Sequence, residues 1–247
     1  MDHILHGVHP KLLASLRDFL DSVFTTKEIK KKTVFDIGVM KAPGRDGLPA
    51  LLYQIFWDKV GPSMVKDCLG CLNDGHSLEK MNDTLISLIP KKKVLDRILD
   101  FRPISLCNVL YKIVAKSIAN QFRQTLDGII SEAQSAFILG RLISDNIMVS
   151  FECMHMIKRR KRKRGSMAIK LDMSKAYDRM EWTFVEHILW KLGFSDRWIN
   201  LIIRCILSAS YSFMLNKEVC GYIKPTLGLR QGDPLSSYLF IICAEGF

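Results

Sequence analysis

The strongest constraint on the fold is a long helical repeat that begins at about Asn108 and runs to about Leu126. Apolar side chains recur in it at spacings of three and four residues, which places them on one face of a helix. These side chains are Val109, Leu110, Ile113, Val114, Ile118 and Phe122. With 247 residues, the chain is long enough to bury such a face in a hydrophobic core.

Other segments alternate between helical and extended patterns. Helices are predicted over residues 10–24, 25–35, 51–60, 144–158, 182–192 and 198–208. Thr25 with Glu28 resembles a capping box at the start of the second helix. Strands are predicted over residues 84–90 and 167–172, and a β-hairpin over 212–216 and 219–223. The mixture predicts the α+β class.

Composition indicates a globular protein with a polyanionic partner. Hydrophobic residues make up 48% of the chain and charged residues 25%, which disfavours disorder. The formal net charge is +11. Lysine and arginine displace counterions from phosphates, so nucleic acid fits this charge best, although an anionic membrane surface would also answer it.

The seven cysteines are odd in number and mostly lie in apolar surroundings, which is typical of reduced, buried thiols. No apolar segment approaches the roughly 18 residues that a membrane span requires. We therefore expect an intracellular, soluble protein that does not associate with membranes.

Residues 170–182, KLDMSKAYDRMEW, are the most informative motif. Asp172 follows an apolar strand pattern, and Tyr177 lies five residues later, before a helix. An isolated pair of this kind would more often be a strand cap and a core ring. The flanking residues reverse that preference, because the whole stretch resembles the first catalytic motif of reverse transcriptases. The similarity is closest to the plant-like, LINE-type form found in non-LTR retrotransposons.

A second motif supports this resemblance. Residues 228–240, GLRQGDPLSSYLF, resemble the family's motif that lies against the template and the incoming nucleotide. Four upstream blocks resemble its fingers-side motifs in the same order: KAPGRDG (41–47), LIPK (88–91), DFRPISL (100–106) and QSAFILGR (134–141). The resemblance therefore extends over about residues 25 to 247.

The resemblance implies roles for individual residues. Asp172 would be the catalytic carboxylate and a ligand of Mg²⁺, with the backbone carbonyl of Met173 as another ligand, because joining a nucleotide to a primer uses two divalent ions about 4 Å apart. Tyr177 would lie beneath the sugar and occupy the space of a 2′-hydroxyl. Gln231 and Gly232 would contact the nucleotide or the template base, the glycine by permitting close backbone approach.

Cations are expected to bind the triphosphate and the nucleic acid. Lys91 and Arg102 are the candidates for the phosphates, although Lys91 has the alternative of being an ordinary surface cation. The basic run over 158–164 includes Lys158, Arg159, Arg160, Arg162 and Arg164. It predicts nucleic-acid binding or nuclear import, and a solvated loop is an equally good interpretation.

The resemblance implies a right-hand polymerase fold. The expected division is a helical N-terminal extension (1–40), a fingers region (41–165) and a partial palm (166–247). The family's Asp-Asp motif is not found before Phe247, so we expect an incomplete palm without a thumb, exposed apolar surface, and no DNA synthesis by this chain alone.

The function expected from the resemblance is RNA-directed DNA polymerisation, with an RNA template, a DNA primer and deoxynucleoside triphosphates as partners. Two alternatives remain: a non-catalytic nucleic-acid-binding remnant, and a maturase-like splicing factor. A nuclear location follows if the element is expressed, and the oligomeric state is left open.

Overall fold

The structure is a computed structural model and describes residues 5, 7–159, 166–216 and 218–246. The α-helices in this part are α1 (Ala14–Asp21), α2 (Ala50–Ile55), α3 (Trp57–Asn73), α4 (Val109–Ile129), α5 (Ile143–Arg159), α6 (Trp182–Leu192), α7 (Asp196–Leu207) and α8 (Ser236–Ala244). A π-helix spans Glu28–Val34 and a 3-10 helix spans Ile98–Asp100. The strands are β1 (Asp83–Pro90), β2 (Phe101–Cys107), β3 (Ser210–Leu215) and β4 (Glu218–Ile223). The α+β class predicted from the sequence is confirmed.

The four described strands form one mixed sheet in the order β2-β1-β3-β4. Strand β1 pairs antiparallel with β2 and parallel with β3, while β3 and β4 form the predicted antiparallel hairpin. Strand β1 comes from the predicted fingers region and β3 from the predicted palm. The sheet therefore joins the two regions, and their division remains a prediction.

Strand β2 was not predicted because it contains Pro103, which has no N–H to donate to a ladder. Pro103 pairs with Leu88 of β1, and β2 lies at an edge of the sheet. A proline is tolerated at an edge because its nitrogen side needs no partner strand.

Helix α4 lies at the centre of the core, as its long apolar repeat predicts. Phe122 is completely buried and meets two aromatic rings edge to face, Phe194 and Trp198, each with its centroid 5.5 Å away. Phe24 stacks on the other side of Trp198 at 6.1 Å. This cluster joins the N-terminal segment to α4 and α7.

The helix predicted after Thr25 is confirmed, with π-helical geometry. The Thr25 N–H donates to the Glu28 carboxylate over 2.9 Å, and the Glu28 N–H donates to the Thr25 hydroxyl over 3.4 Å, so both bonds of the predicted capping box are present. The first predicted helix is shorter than expected. The N–H groups of Lys11 and Leu12 both donate to the Leu192 carbonyl, so these residues pair with the end of α6 instead of starting α1.

The strand predicted over 167–172 is wrong: residues 166–173 have no regular structure. Met167, Ile169 and Leu171 are 80%, 69% and 85% exposed. A strand needs a neighbour that satisfies its N–H and C=O groups, and none of the described strands lies beside this segment. The apolar alternation is present in the sequence, but alternation alone does not form a strand.

Helix α5 has no buried side chain although it is rich in apolar residues. Ile147, Met148, Val149, Phe151 and Met154 are all exposed. Among the described helices, α5 included, none combines the length and the hydropathy needed to cross a membrane.

Five of the seven cysteines are buried, as predicted, whereas Cys153 and Cys220 are exposed. None of the seven forms a disulfide within the described residues. Burial raises the pKa of the Cys68 and Cys205 thiols to about 12. These thiols stay protonated and act as small apolar groups.

Two phenylalanines test which helix faces are covered. Phe122→Ala should lower the free energy of unfolding by about 3–5 kcal/mol, because it empties the centre of the aromatic cluster. Phe151→Ala on α5 is the matched control and should change it by less than about 0.5 kcal/mol, because Phe151 is 71% exposed. Urea unfolding followed by circular dichroism measures both. Equal losses would mean that α5 is covered in solution.

Candidate active-site cleft

A buried ion pair fixes the loop between β4 and α8. The Arg230 guanidinium contacts the Asp233 carboxylate at 2.5 Å, and both side chains are about 5% exposed (5% and 4%). Arg230 also donates to the Thr84 hydroxyl over 3.1 Å and to the Asn82 side-chain oxygen. Asn82 in turn donates to the Cys205 carbonyl over 2.9 Å, so the loop is tied to β1 and to α7.

Helix α4 contributes to the same network through Tyr111. Its hydroxyl donates to Asp233 over 2.8 Å, and the Arg230 guanidinium lies 4.3 Å from its ring centroid. Burial raises the pKa of Tyr111, which keeps the hydroxyl protonated as a donor. Burial alone would lower the pKa of Arg230, but Tyr111 and Asp233 raise it above its ordinary value, so the guanidinium stays charged.

The loop backbone is also anchored to strand β2. The Ser105 N–H donates to the Gln231 carbonyl over 2.9 Å. Gly232 has φ +107°, and a Cβ there would lie 3.1 Å from the Ser105 carbonyl oxygen. Both the backbone angle and the close approach require glycine, as the sequence indicated. The Gln231 side chain remains exposed between two fixed backbone positions.

The turn over residues 174–179 packs against the other end of the loop. The Leu229 N–H donates to the Tyr177 carbonyl over 2.8 Å, and the Gly228 N–H donates to the Met180 carbonyl over 2.7 Å. The Trp182 indole N–H donates to the Gly228 carbonyl over 2.8 Å. These bonds bring the two sequence motifs, which lie about 55 residues apart, side by side.

Tyr177 is held by α8. Its ring stacks on Phe240 with the centroids 4.8 Å apart and the planes at 15°. Its hydroxyl lies 3.5 Å from the Ser237 hydroxyl. One face of the ring is therefore supported by the protein, while the ring also lines an open cleft.

This cleft has a volume of ≈ 440 Å³ and gathers residues from separate parts of the chain. Its lining consists of Lys91, Leu99, Arg102, Pro103, Ser174, Lys175, Ala176, Tyr177, Asp178 and Gln231. Four residues that the sequence singled out, Lys91, Arg102, Tyr177 and Gln231, thus lie together. Gly232 lies next to the lining without forming part of it, and the roles of all five residues remain predictions.

The two cationic candidates differ in their surroundings. The Lys91 ammonium donates to the Leu99 carbonyl over 3.0 Å, which holds it at the rim of the cleft. Arg102 is exposed on β2, and its guanidinium has no hydrogen bond or ion pair with any residue that the structure describes. Arg102 is thus available to an anion from solution.

Asp172 and Met173 lie two residues or fewer before the cleft lining and are exposed. A carboxylate and a carbonyl suit Mg²⁺. Across the described ranges, however, no three His, Cys, Asp or Glu side chains group as a metal site would need. The metal-binding role of Asp172 and Met173 remains a prediction.

The basic run is only partly described. Lys158 and Arg159 are exposed at the end of α5. Arg160, Arg162 and Arg164 lie outside the described residues, so their predicted role is not tested.

Two functional features were missed in the sequence. The first is the Arg230–Asp233 ion pair. Its two residues lie three apart in GLRQGDP, a spacing that allows an ion pair, but the sequence does not show which other residues bond to it. The second is Lys175, a third cation in the cleft, which adopts φ +55°. No sequence signal marks that backbone conformation.

The mixed sheet and the cationic cleft define an α+β protein with a candidate site for an anionic ligand. Comparison with known families identifies the class further. Residues 89–247 match the family described as reverse transcriptase (RNA-dependent DNA polymerase). The chain belongs to the reverse transcriptase family, whose members generally use divalent metal ions.

Three relatives come from mobile elements. The transposon TX1 uncharacterized 149 kDa protein of Xenopus laevis is 31% identical over 84% of this chain and 16% of its own length. The Pol polyprotein from the type-1 retrotransposable element R2 of Nasonia vitripennis is 28% identical over 67% of this chain and 16% of its own. The corresponding R2 polyprotein of Popillia japonica is 24% identical over 81% of this chain and 27% of its own. The chain thus spans between about a sixth and a quarter of the length of these relatives.

The buried ion pair should be costly to break from one side. Arg230→Met should lower the free energy of unfolding by about 3–5 kcal/mol, because it leaves the Asp233 carboxylate buried and uncompensated. The double variant with Asp233→Leu should recover much of that loss, which a double-mutant cycle measures.

The exposed pair Lys224–Glu79, at 3.3 Å, is the matched control. Lys224→Met should cost less than about 1 kcal/mol. Additive losses for Arg230 and Asp233 would contradict direct coupling between them.

Proposed function

We propose that this chain is the RNA-directed DNA polymerase module of a non-LTR retrotransposon, and that its cleft binds a deoxynucleoside triphosphate. The observation that carries the proposal is the meeting of Lys91, Arg102, Tyr177 and Gln231 around one cleft of ≈ 440 Å³. They come from the end of β1, where Lys91 follows Pro90, from β2, from the turn over 174–179 and from the loop before α8. A nucleotide needs a cationic wall, a surface for its sugar and a hydrogen-bonding group for its base, and these residues supply all three.

The charge balance of the cleft favours a phosphate chain. Three cations, Lys91, Arg102 and Lys175, line it with one acid, Asp178. Arg102 has the planar group that pairs two phosphate oxygens at once, while the two lysines act as point charges. The triphosphate would lie along β2, where Arg102 is free to bind it.

Tyr177 would act beneath the sugar. Because Phe240 and Ser237 hold its ring, the ring cannot turn away without losing its stacking contact. A fixed ring at this place would clash with a 2′-hydroxyl and select deoxyribose. Gln231, whose backbone is bonded to Ser105, would present its amide to the base.

We further propose the finer assignments that the resemblance implies. Residues 41–165 form the fingers and 166–247 part of the palm, after an N-terminal extension over 1–40. Asp172 and the Met173 carbonyl would be ligands of Mg²⁺, which would activate the primer hydroxyl. The template is RNA and the primer DNA, and the basic run from Lys158 serves nucleic-acid binding or nuclear import.

We also propose that this chain does not synthesise DNA on its own. Among the described residues, Asp172 belongs to no group of three His, Cys, Asp or Glu residues that could hold a metal ion. We propose that the 247-residue chain alone binds nucleotide without extending a primer. A nucleic-acid-binding protein without catalysis is therefore the second candidate function.

Nucleotide binding can be tested by equilibrium titration with a fluorescent dATP. Arg102→Ala should weaken dATP binding roughly tenfold, because a hydrogen bond between charged groups is lost, and should leave deoxyadenosine binding unchanged. Arg17→Ala, an exposed arginine on α1, is the control and should change neither. Equal binding of dATP by all three proteins would contradict a phosphate role for Arg102.

Sugar selection is a separate test. Tyr177→Ala should raise the affinity for ATP relative to dATP, since it removes the ring beneath the ribose. Tyr222→Ala on the exposed strand β4 should leave the ratio unchanged. An unaltered ratio in Tyr177→Ala would remove the sugar-sensing role from the proposal.

Primer extension tests the limit on activity. The purified chain with Mg²⁺, an RNA template and an annealed DNA primer should give no extended product. Extension that Asp172→Asn abolishes would show that the chain is catalytically complete. If the chain neither extends a primer nor binds dATP, the second candidate function, nucleic-acid binding without catalysis, would replace the first.

A further inference from the structure

Helix α5 is fixed to the protein near its start and is exposed along the rest of its length. The Asn146 amide donates to the Ala133 carbonyl over 3.0 Å and accepts from the Ser135 hydroxyl over 2.9 Å. Beyond Asn146, no side chain of α5 forms a hydrogen bond or an ion pair with another element of the described chain. The helix has 17 residues, which corresponds to about 25 Å. Most of that length is open to a partner.

The apolar side chains of α5 lie on two sides of the helix. Successive residues point about 100° apart, so spacings of three and four residues form a stripe, and other spacings place residues opposite it. The stripe consists of Ile143, Ile147, Phe151 and Met154, and Val149 and Met156 lie on the opposite side; all six are exposed. A flat surface could cover one of these sides, whereas a groove that closes around the helix would cover both.

The C-terminal end of α5 is strongly basic. Lys158 and Arg159 lie in its last turn and are exposed, and neither has an ion pair with a described residue. In the sequence, five more cations follow them directly. The complementary surface is therefore an apolar groove with an acidic rim.

Charge and shape disfavour two other occupants. A second copy of this chain would bring the same cations to the helix, and two chains of formal net charge +11 repel each other. A membrane surface takes up one face of an amphipathic helix. It would leave either the stripe or Val149 and Met156 in water. An acidic protein that encloses the helix meets both conditions.

We propose that α5 binds an acidic calcium-sensor protein of the EF-hand class. Such sensors open a Met-rich apolar groove when they bind Ca²⁺, and a basic amphipathic helix is the ligand that this groove accepts. Ile147, Phe151 and Met154 are the anchors, at the spacing of four and seven residues that a groove reads. Val149 and Met156 contact the opposite wall, and the basic end meets the acidic rim. The chain would thus be brought under the control of Ca²⁺, which the proposed polymerase function does not require.

Isothermal titration calorimetry of the full 247-residue chain tests the proposal, with calmodulin as the probe. One calmodulin should bind each chain in the presence of Ca²⁺. Binding should be lost in EGTA, because the groove then closes. No binding with Ca²⁺ would overturn the proposal. Equal binding with and without Ca²⁺ would overturn it as well, since attraction between unlike charges would then explain the complex without the groove.

The central anchor can be removed without disturbing the fold, because Phe151 is exposed in the free chain. Phe151→Ala should weaken calmodulin binding by about tenfold or more, and Phe151→Leu should retain most of the affinity because it keeps an apolar anchor. Trp190→Ala is the matched control, since Trp190 is an exposed ring on α6, 61% accessible. Equal affinities for Phe151→Ala and Trp190→Ala would contradict the proposal.

The opposite side and the basic end have tests of their own. Met156→Ser should weaken binding by about threefold or more, because an apolar contact with the second wall is lost. An unchanged affinity would mean that the helix is not enclosed. Lys158→Glu combined with Arg159→Glu should also weaken binding, whereas Arg17→Glu on α1 should not. Equal effects of these charge changes would remove the acidic rim from the proposal.

The other occupants are distinguished by separate measurements. Sedimentation velocity of the chain alone should show a monomer. A dimer that Phe151→Ala dissociates would assign α5 to a second copy and overturn the proposal. Cosedimentation with phosphatidylserine vesicles that Phe151→Ala abolishes would assign α5 to a membrane surface and overturn it too.

These outcomes are independent of the nucleotide cleft. Phe151→Ala should leave dATP binding unchanged, and Arg102→Ala should leave calmodulin binding unchanged. If the cleft fails to bind dATP while α5 binds calmodulin, only the proposed polymerase site is lost. If dATP binds and calmodulin does not, only this inference is removed.

Discussion

The buried ion pair between Arg230 and Asp233 is the interaction on which the site depends. Removing two charges from water is costly, so such a pair is stable only when its remaining donors and acceptors are also satisfied. Here Asn82, just before β1, Thr84 in β1 and Tyr111 in α4 complete them. The loop can therefore take one position relative to the sheet and α4. Gln231 lies between the two charged residues, so its backbone is fixed together with theirs.

The sequence predicted the parts of this arrangement that rest on local patterns. Periodicity identified α4, α6, α7 and the hairpin, and the motifs identified four residues that line one cleft. The buried network was not predictable, because nothing local shows that Asn82 and Tyr111 meet Arg230, which lies more than a hundred residues away in the chain. Strand β2 was missed for a related reason: its proline argues against a strand, and only its place at the sheet edge permits one.

The failure at residues 167–172 shows the limit of alternation as a signal. Met167, Ile169 and Leu171 alternate as in a half-buried strand, but pairing is a property of two segments. Helix α5 shows the same limit, since it forms the predicted helix but buries none of its apolar side chains. In both segments the local sequence determines which side chains share an apolar face. Whether another segment packs against that face depends on the rest of the fold. Asp172 is consequently next to the cleft in the chain without being fixed at a strand end.

Helix α8 supports one side of the nucleotide cleft. Its start is set by Asp233, whose carboxylate accepts the Leu235 N–H over 2.9 Å. Successive helical residues point about 100° apart, so Ser237 reaches the Tyr177 hydroxyl while Tyr238 meets Phe137 on another side. A rotation of α8 would move the Ser237 hydroxyl and the Phe240 ring away from Tyr177 and so remove the support of that ring. Because Asp233 is held by Arg230 and itself bonds the Leu235 N–H, the ion pair fixes the start of α8 and, through α8, the ring of Tyr177 beside Gln231.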